Sequence, residues 1–232
     1  MHILLTRPLE DCSNLILKFK QLGHNVSHLP LIKIKKVEHE QIKFSEFSAI
    51  IFTSSNSIKN LKLDTINKTL KCFCVGSVTE KFARSSGFQN VISADGNVRA
   101  LKELILRNHD KKDGKILYLS GEFVSFDLDK DLSSEGYEIK RIINYSVNHN
   151  DEIKSDIIEE LKRSIPDIVY IYSENSAKSF LNIIKKYQII DSWMNTNLMC
   201  IGERSSAVLN ELKWKKIFLF RPGEEEFLLY KV

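Results

Sequence analysis

One pattern occurs twice in this chain, and it constrains the fold more than any other feature. Ile168-Val169-Tyr170-Ile171 is a continuous apolar run, followed by Ser173-Glu174-Asn175-Ser176 and then by Ala177, Phe180, Leu181 and Ile184. The run reads as a strand buried on both faces, and the i, i+3, i+4, i+7 spacing after it as one apolar helix face. The earlier copy is Ala49-Ile50-Ile51-Phe52-Thr53-Ser54-Ser55-Asn56-Ser57-Ile58-Lys59, with Asn56-Ser57-Ile58-Lys59 aligned on Asn175-Ser176-Ala177-Lys178. After each copy comes a strand that ends in glycine and opens a helix: Cys74-Val75-Gly76-Ser77-Val78-Thr79 and Cys200-Ile201-Gly202-Glu203-Arg204-Ser205. A strand–turn–helix unit used twice implies an α/β fold with parallel sheets, whose ligands sit at the carboxyl ends of strands. Two similar units facing each other would form a cleft lined by helix N-termini, where hydroxyls and backbone N–H groups suit an anion.

The rest of the chain fits around these copies. His2 to Thr6 reads as a strand, and Leu15, Ile16, Phe19 and Leu22 as a helix face that stops at Gly23. Val26 to Ile34 reads as extended, with Leu31-Ile32-Lys33-Ile34-Lys35 alternating as in a half-exposed strand. The polar stretch Glu38 to Ser45 marks a crossing into a second domain, and Ile139 to Val147 reads as the strand that returns from it and pairs with the first crossing. The expected organisation is therefore a discontinuous first domain, residues 1–35 and 147–232, and a second domain, residues 36–146, linked by two crossings that could pair as a two-stranded β-ladder. Within these domains, Ser77 to Glu80 fits a capping box, with Val78 and Phe82 on the apolar stripe of the helix that follows. Glu203 to Lys213 reads as a helix, and Glu224-Glu225-Glu226 as the acidic first turn of a last helix.

Composition removes several function classes. The 34 basic and 30 acidic residues leave a charge of +4 with no dominant Lys/Arg block, which is short of a nucleic-acid signature. No apolar stretch is long enough for a membrane span or a leader, so the cytoplasm is the expected location. The four cysteines, Cys12, Cys72, Cys74 and Cys200, read as buried reduced thiols. The six histidines show no metal-ligand spacing, and no metal is expected. Phosphate loop, Gly-x-Gly-x-x-Gly and Gly-x-Ser-x-Gly patterns are missing from the sequence.

The candidate ligand residues are thus those of the repeated turns: Thr53, Ser54, Ser55, Asn56, Gly76 and Thr79 in one copy, Ser173, Asn175, Gly202 and Ser205 in the other. Helix capping is the competing explanation for the Ser and Asn positions. Arg7 and Arg204 sit just past strand ends, where a guanidinium could meet a carboxylate or simply face solvent. Tyr145 lies in the return crossing, where packing is the usual role of a tyrosine.

Taken in order, these residues resemble the uroporphyrinogen-III synthase family. Thr6-Arg7-Pro8 is similar to that family's opening, Phe52-Thr53-Ser54-Ser55-Asn56-Ser57 and Val75-Gly76-Ser77-Val78-Thr79 to two of its turns, and Tyr172-Ser173-Glu174-Asn175-Ser176 to a third. Ile201-Gly202-Glu203-Arg204-Ser205 resembles a fourth, with Ser205 in place of threonine, and Pro222 to Leu229 the terminal helix. The resemblance implies two α/β domains, the first discontinuous, and a cofactor-free hydro-lyase of tetrapyrrole (heme) biosynthesis. It implies hydroxymethylbilane as substrate, closed to uroporphyrinogen III with loss of water and inversion of the last pyrrole ring in the interdomain cleft. It further implies a cytoplasmic monomer in transient contact with the enzyme that makes the bilane, with neither nucleic-acid nor membrane partners. The family's crossing tyrosine maps onto Tyr145, a plausible donor to the leaving hydroxyl. The competing expectation is a non-catalytic two-domain receptor for a small anion, which would share the cleft but have no need of Tyr145.

Overall fold

The computed structural model describes residues 1–232 apart from Gly96, Asp151, Glu152, Pro222 and Val232. The strands in chain order are β1 (His2–Leu5), β2 (Asn25–His28), β3 (Ile32–Lys36), β4 (Ala49–Phe52), β5 (Lys71–Val75), β6 (Val91–Ala94), β7 (Ile116–Gly121), β8 (Ile139–His149), β9 (Ile168–Ile171), β10 (Asn197–Cys200) and β11 (Lys216–Leu219). The α-helices are α1 (Leu9–Gln21), α2 (Ser55–Lys59), α3 (Gly76–Ser85), α4 (Val98–Asn108), α5 (Leu128–Ser134), α6 (Ser155–Arg163), α7 (Glu174–Lys186) and α8 (Glu203–Val208). The chain forms two compact units, Met1–Lys33 with Asn148–Val232, and Ile34–Val147.

The first unit holds a five-stranded sheet in the order β11-β10-β9-β1-β2, with parallel pairing throughout the described registers. Central strands β1 and β9 are buried at every position, as continuous apolar runs require when both faces are covered. The period-2 alternation sorts their side chains. Leu4, Val169, Ile171 and Leu198 join one core with α6 and α7, while Ile3, Leu5, Ile168 and Tyr170 join another with α1. Helix α7 buries Phe180, Leu181, Ile183 and Ile184, with Phe180 edge-on to Trp193 at 5.0 Å between ring centroids. At about 1.5–3 kcal/mol for each large apolar side chain, burial outweighs the few tenths contributed by any exposed ion pair on this helix.

The second unit holds a six-stranded sheet in the order β3-β8-β7-β4-β5-β6, with β4 flanked in parallel by β5 and β7. Ile50, Phe52, Cys72, Cys74, Leu117 and Leu119 face α2 and α3, and Ala49, Ile51, Phe73, Ile116 and Tyr118 face α4 and α5. The crossing strands β3 and β8 pair with each other, and β8 also pairs in parallel with β7, so both extend this sheet. All four cysteines are buried and free. Among the described residues no helix is long and apolar enough to cross a membrane.

Four local expectations are corrected. Helix α3 starts at Gly76, so Ser77 is already inside it and no capping box forms. Glu80 instead pairs with Arg84 at 2.9 Å and accepts from the Ser93 hydroxyl, bonds that hold its carboxyl below the ordinary range. The buried face of α3 carries Thr79 and Ala83, and Val78 is 45% exposed; the helix begins two residues earlier than a Ser77 cap would place it. Helix α8 ends at Val208, short of Lys213. The acidic run precedes the terminal 3-10 helix Phe227–Lys231: Glu224 and Glu225 accept from the Arg221 and Gly223 N–H groups at 2.9 and 2.8 Å, closing the turn. Pro222, the expected start of the terminal segment, lies outside the described residues.

Candidate active site

Both sheets reverse their direction of winding once. In the first unit the chain builds β1 and β2 on one side, then β9, β10 and β11 on the other, so β1 and β9 meet at a switch point. In the second unit β4, β5 and β6 are laid down one way and β7 and β8 the other, so β4 and β7 meet. Loops leaving such neighbours diverge to opposite faces and open a crevice at their carboxyl ends. The Ser turns lie at those ends, after β9 and β4, and the Gly turns follow the next strands out, β10 and β5.

In the first unit, Arg7 follows β1 and Ser173 follows β9. The Arg7 guanidinium lies 4.7 Å from the centroid of the Tyr172 ring, and the Arg7 carbonyl is hydrogen-bonded to His28 Nε2 at 2.8 Å. The Tyr172 hydroxyl has no partner among the described residues, and burial, reinforced by Glu225, pushes the phenol far above its ordinary value. Ser173 caps α7: its Oγ accepts from the Ser176 N–H at 3.1 Å and lies 2.9 Å from the Ser176 hydroxyl. Asn175 is exposed in the first turn of that helix. After β10, Gly202 adopts φ +75° and precedes α8, whose start has no side-chain cap. Arg204 is exposed, whereas Ser205 is buried and donates to the Ile201 carbonyl at 3.0 Å.

The second unit repeats this arrangement. Ser54 caps α2, accepting from the Asn56 N–H at 3.2 Å, and its carbonyl accepts from the Ser57 hydroxyl at 2.6 Å. Thr53 lies 3.4 Å from the Tyr118 hydroxyl, and Ser55 and Asn56 are half-buried. After β5, Gly76 adopts φ +74° at the start of α3, again without a side-chain cap, and Thr79 is buried at the position matching Ser205. The two halves of the repeated motif therefore differ. The Ser turns close their own helices, and the Gly turns leave the first helical N–H groups without side-chain acceptors.

Tyr145 belongs to the second switch point. The β7–β8 register runs Ser120↔Ile143 and then Gly121↔Tyr145, so Asn144 is an extra residue on β8. Such a bulge re-aims the side chains that follow it. Asn144 and Tyr145 are both buried, at 0% and 8% exposure. Asn144 Nδ2 donates to the Ser57 carbonyl at 2.7 Å, tying β8 to α2. The Tyr145 ring crosses Gly121 at the end of β7. Burial raises its pKa, while hydrogen bonding from the Ser54 side chain and the Gly121 backbone opposes that rise. The phenol is therefore neutral around pH 7, a proton donor beside the Thr53–Asn56 turn.

Sequence reasoning missed Gly121, Arg141 and Asn144. Arg141 and Tyr145 are four residues apart in one extended segment, but the extra residue Asn144 breaks the alternation between them, so period-2 reading does not pair them. Gly121 follows an apolar run and Ser120, but nothing local says what crosses it.

The fold and these turns define a class: a doubly wound α/β protein of two units, with polar turns and helix starts at the strand ends where such proteins bind ligands. The family profile of uroporphyrinogen-III synthase HemD (HEM4) matches residues 13–222. The chain belongs to the uroporphyrinogen-III synthase family and is accordingly a hydro-lyase of tetrapyrrole biosynthesis. Among solved structures it is similar to uroporphyrinogen-III synthetase from Helicobacter pylori, at 18% identity and TM-score 0.65, covering 100% of this chain and 99% of that one. It is also similar to a mutant uroporphyrinogen III synthase from the extremely thermophilic bacterium Thermus thermophilus, at 13% identity and TM-score 0.59, covering 100% and 97%. At these identities the likeness is one of fold. No curated protein sequence matches significantly. Nothing supports the non-catalytic receptor.

Proposed function

We propose that the chain converts hydroxymethylbilane to uroporphyrinogen III without a cofactor, with Tyr145 as the proton donor. The observation that carries the assignment of Tyr145 is its phenol, buried and neutral, beside the capped Thr53–Asn56 turn at the β4/β7 switch point. The C–O bond of the terminal hydroxymethyl breaks, the phenol proton leaves with the oxygen as water, and the pyrrole nitrogen lone pair forms the azafulvene. The substituted carbon of the last ring attacks the new methylene to give a spiro intermediate. That ring detaches, inverts and recloses, and loss of a proton restores the pyrrole and the phenol. Burial raises the pKa of the phenol, so it keeps its proton at neutral pH and has it to give as the C–O bond breaks.

Substrate carboxylates and pyrrole groups are assigned to Arg7, Ser173, Asn175, Gly202, Arg204 and Ser205 in the first unit, and to Thr53, Ser54, Ser55, Asn56, Gly76 and Thr79 in the second. The Ser54 and Ser173 oxygens already serve as caps and the Ser205 hydroxyl is engaged with Ile201, so recognition at these turns falls chiefly on backbone N–H groups. The proposed domains are residues 1–35 with 147–232, and 36–146. A cytoplasmic monomer in transient contact with the enzyme that makes the bilane completes the reading. The test is to supply hydroxymethylbilane to the purified chain without added metal or cofactor and to separate the porphyrin isomers after oxidation. The type III isomer is expected; type I alone from a folded protein refutes the activity.

A further inference from the structure

Gly121 ends β7 with a φ outside the left-handed region, so its own backbone does not call for glycine. The neighbour does. A Cβ at this position would lie 2.8 Å from Tyr145 Cζ, 2.9 Å from Cε2 and 3.0 Å from the hydroxyl oxygen. The first two are contacts that real side chains essentially never make and the third is tighter than most, and all three fall on the hydroxyl end of the ring. The opposite side of the same peptide is clamped. Arg141 Nη2 donates to the Gly121 carbonyl at 3.0 Å and to the Glu122 carbonyl at 3.2 Å, and Arg141 Nε donates to the Ser120 hydroxyl at 2.8 Å. The Glu122 N–H donates to the Tyr145 carbonyl at 3.0 Å, which closes the loop between ring and clamp.

We infer that Gly121, fixed by Arg141, is a positioning residue for the Tyr145 phenol: the missing side chain sets where the hydroxyl sits, and the guanidinium keeps that seat from moving. The inference rests on Tyr145 acting as the donor proposed above. It assigns a functional reason to a glycine and an arginine that are otherwise only the end of a strand and its hydrogen-bonded neighbour. An alanine at 121 is compatible with the backbone, and what it meets is the far end of the Tyr145 side chain rather than backbone. The fold therefore survives by moving the phenol, which is the group that matters.

The experiment is a double-mutant cycle. Gly121→Ala and Arg141→Gln are each made in the wild-type and Tyr145→Phe backgrounds, and the rate of type III formation is resolved into kcat and KM. With the phenol present, each substitution is expected to lower kcat by about 10- to 100-fold, the cost of a misplacement near 1 Å, with KM changed by less than about threefold. In the Phe background the same substitutions are expected to lower kcat by less than about twofold, because no hydroxyl remains to misplace. Equal losses in both backgrounds, unchanged kcat, or a loss confined to KM would overturn the inference while leaving Tyr145 as donor. Wild-type turnover in Tyr145→Phe itself would remove the donor, and the inference with it. If Gly121→Ala does not fold, the Arg141→Gln pair decides on the same criteria.

Discussion

Replacing Tyr145 by Phe removes one oxygen and keeps a ring that is 8% exposed, so nearly all the apolar burial of this residue survives. What is lost from the fold is the hydrogen bonding of the phenol with the Ser54 side chain and the Gly121 backbone. A net hydrogen bond contributes about 0.5–1.5 kcal/mol, so loss of the two is expected to lower stability by no more than about 3 kcal/mol. The chemical step stands to lose more. A positioned acid accelerates a step by about 10²–10⁴, which at about 1.4 kcal/mol per decade is roughly 3–5 kcal/mol of barrier. The two effects separate cleanly, because loss of turnover on that scale in a protein with near-native urea unfolding cannot come from unfolding. The assay must follow the type III fraction against a control without enzyme, since the bilane also cyclises unaided. Residual product should remain type III, because inversion depends on how the bilane is held and not on the donor. A folded Phe variant with wild-type turnover would falsify the assignment and leave Tyr145 as packing at the end of β7.

Three further outcomes follow from individual residues. Arg7→Ala should raise KM by about 10- to 150-fold with little change in kcat, since a charged hydrogen bond to a carboxylate is worth about 1.5–3 kcal/mol; unchanged steady-state kinetics would remove Arg7 from the binding set. Gly76→Ala and Gly202→Ala should each cost about 1–2 kcal/mol in urea unfolding, because φ near +75° is strained for any L side chain although a Cβ there meets nothing within 4 Å. Equal stability in wild type and both variants would contradict that geometry. Burial lowers the pKa of His109 despite Asp113 3.6 Å away, so the unfolded chain binds a proton that the folded chain refuses. Stability should therefore decline as pH falls below about 6.5, by up to about 1.4 kcal/mol per unit, and His109→Gln should flatten that slope in denaturation series between about pH 7.5 and 5.5. Parallel slopes would refute it.

Most of the fold was legible because both sheets are covered on two faces. Strands β4, β5, β7 and β9 appear in the sequence as uninterrupted apolar runs, which no amphipathic helix produces. Helix lengths were less legible. The apolar spacing of Val208, Leu209 and Leu212 continues past the end of α8, and all three residues still pack against the same core, so burial persists where the helix does not. The start of α3 is displaced from its sequence signal because Ser77 and Glu80 satisfy a capping pattern, while the helix opens two residues sooner, at Gly76 with its positive φ, and Glu80 finds partners in Arg84 and Ser93.

At the site, the most conspicuous motif and the most available donors are different things. The Ser/Asn turns stand out in the sequence as hydroxyls at strand ends, yet Ser54 and Ser173 commit their oxygens to their own helix starts. The plainer Val-Gly and Ile-Gly turns leave α3 and α8 without side-chain caps, and a left-handed glycine sits at each entry. An uncapped helix start carries unsatisfied N–H groups and the positive end of the helix dipole, which together favour carboxylates without any charged side chain. Recognition built this way survives substitution at most positions, so short motifs and low identity can accompany a shared fold. The donor cannot be built this way, because a backbone has no acidic proton to give. In the proposed mechanism that requirement falls on Tyr145, whose ring follows a bulge at Asn144 and crosses a position without a side chain at Gly121. Neither has a local sequence signature, since each is defined by what the other strand brings against it.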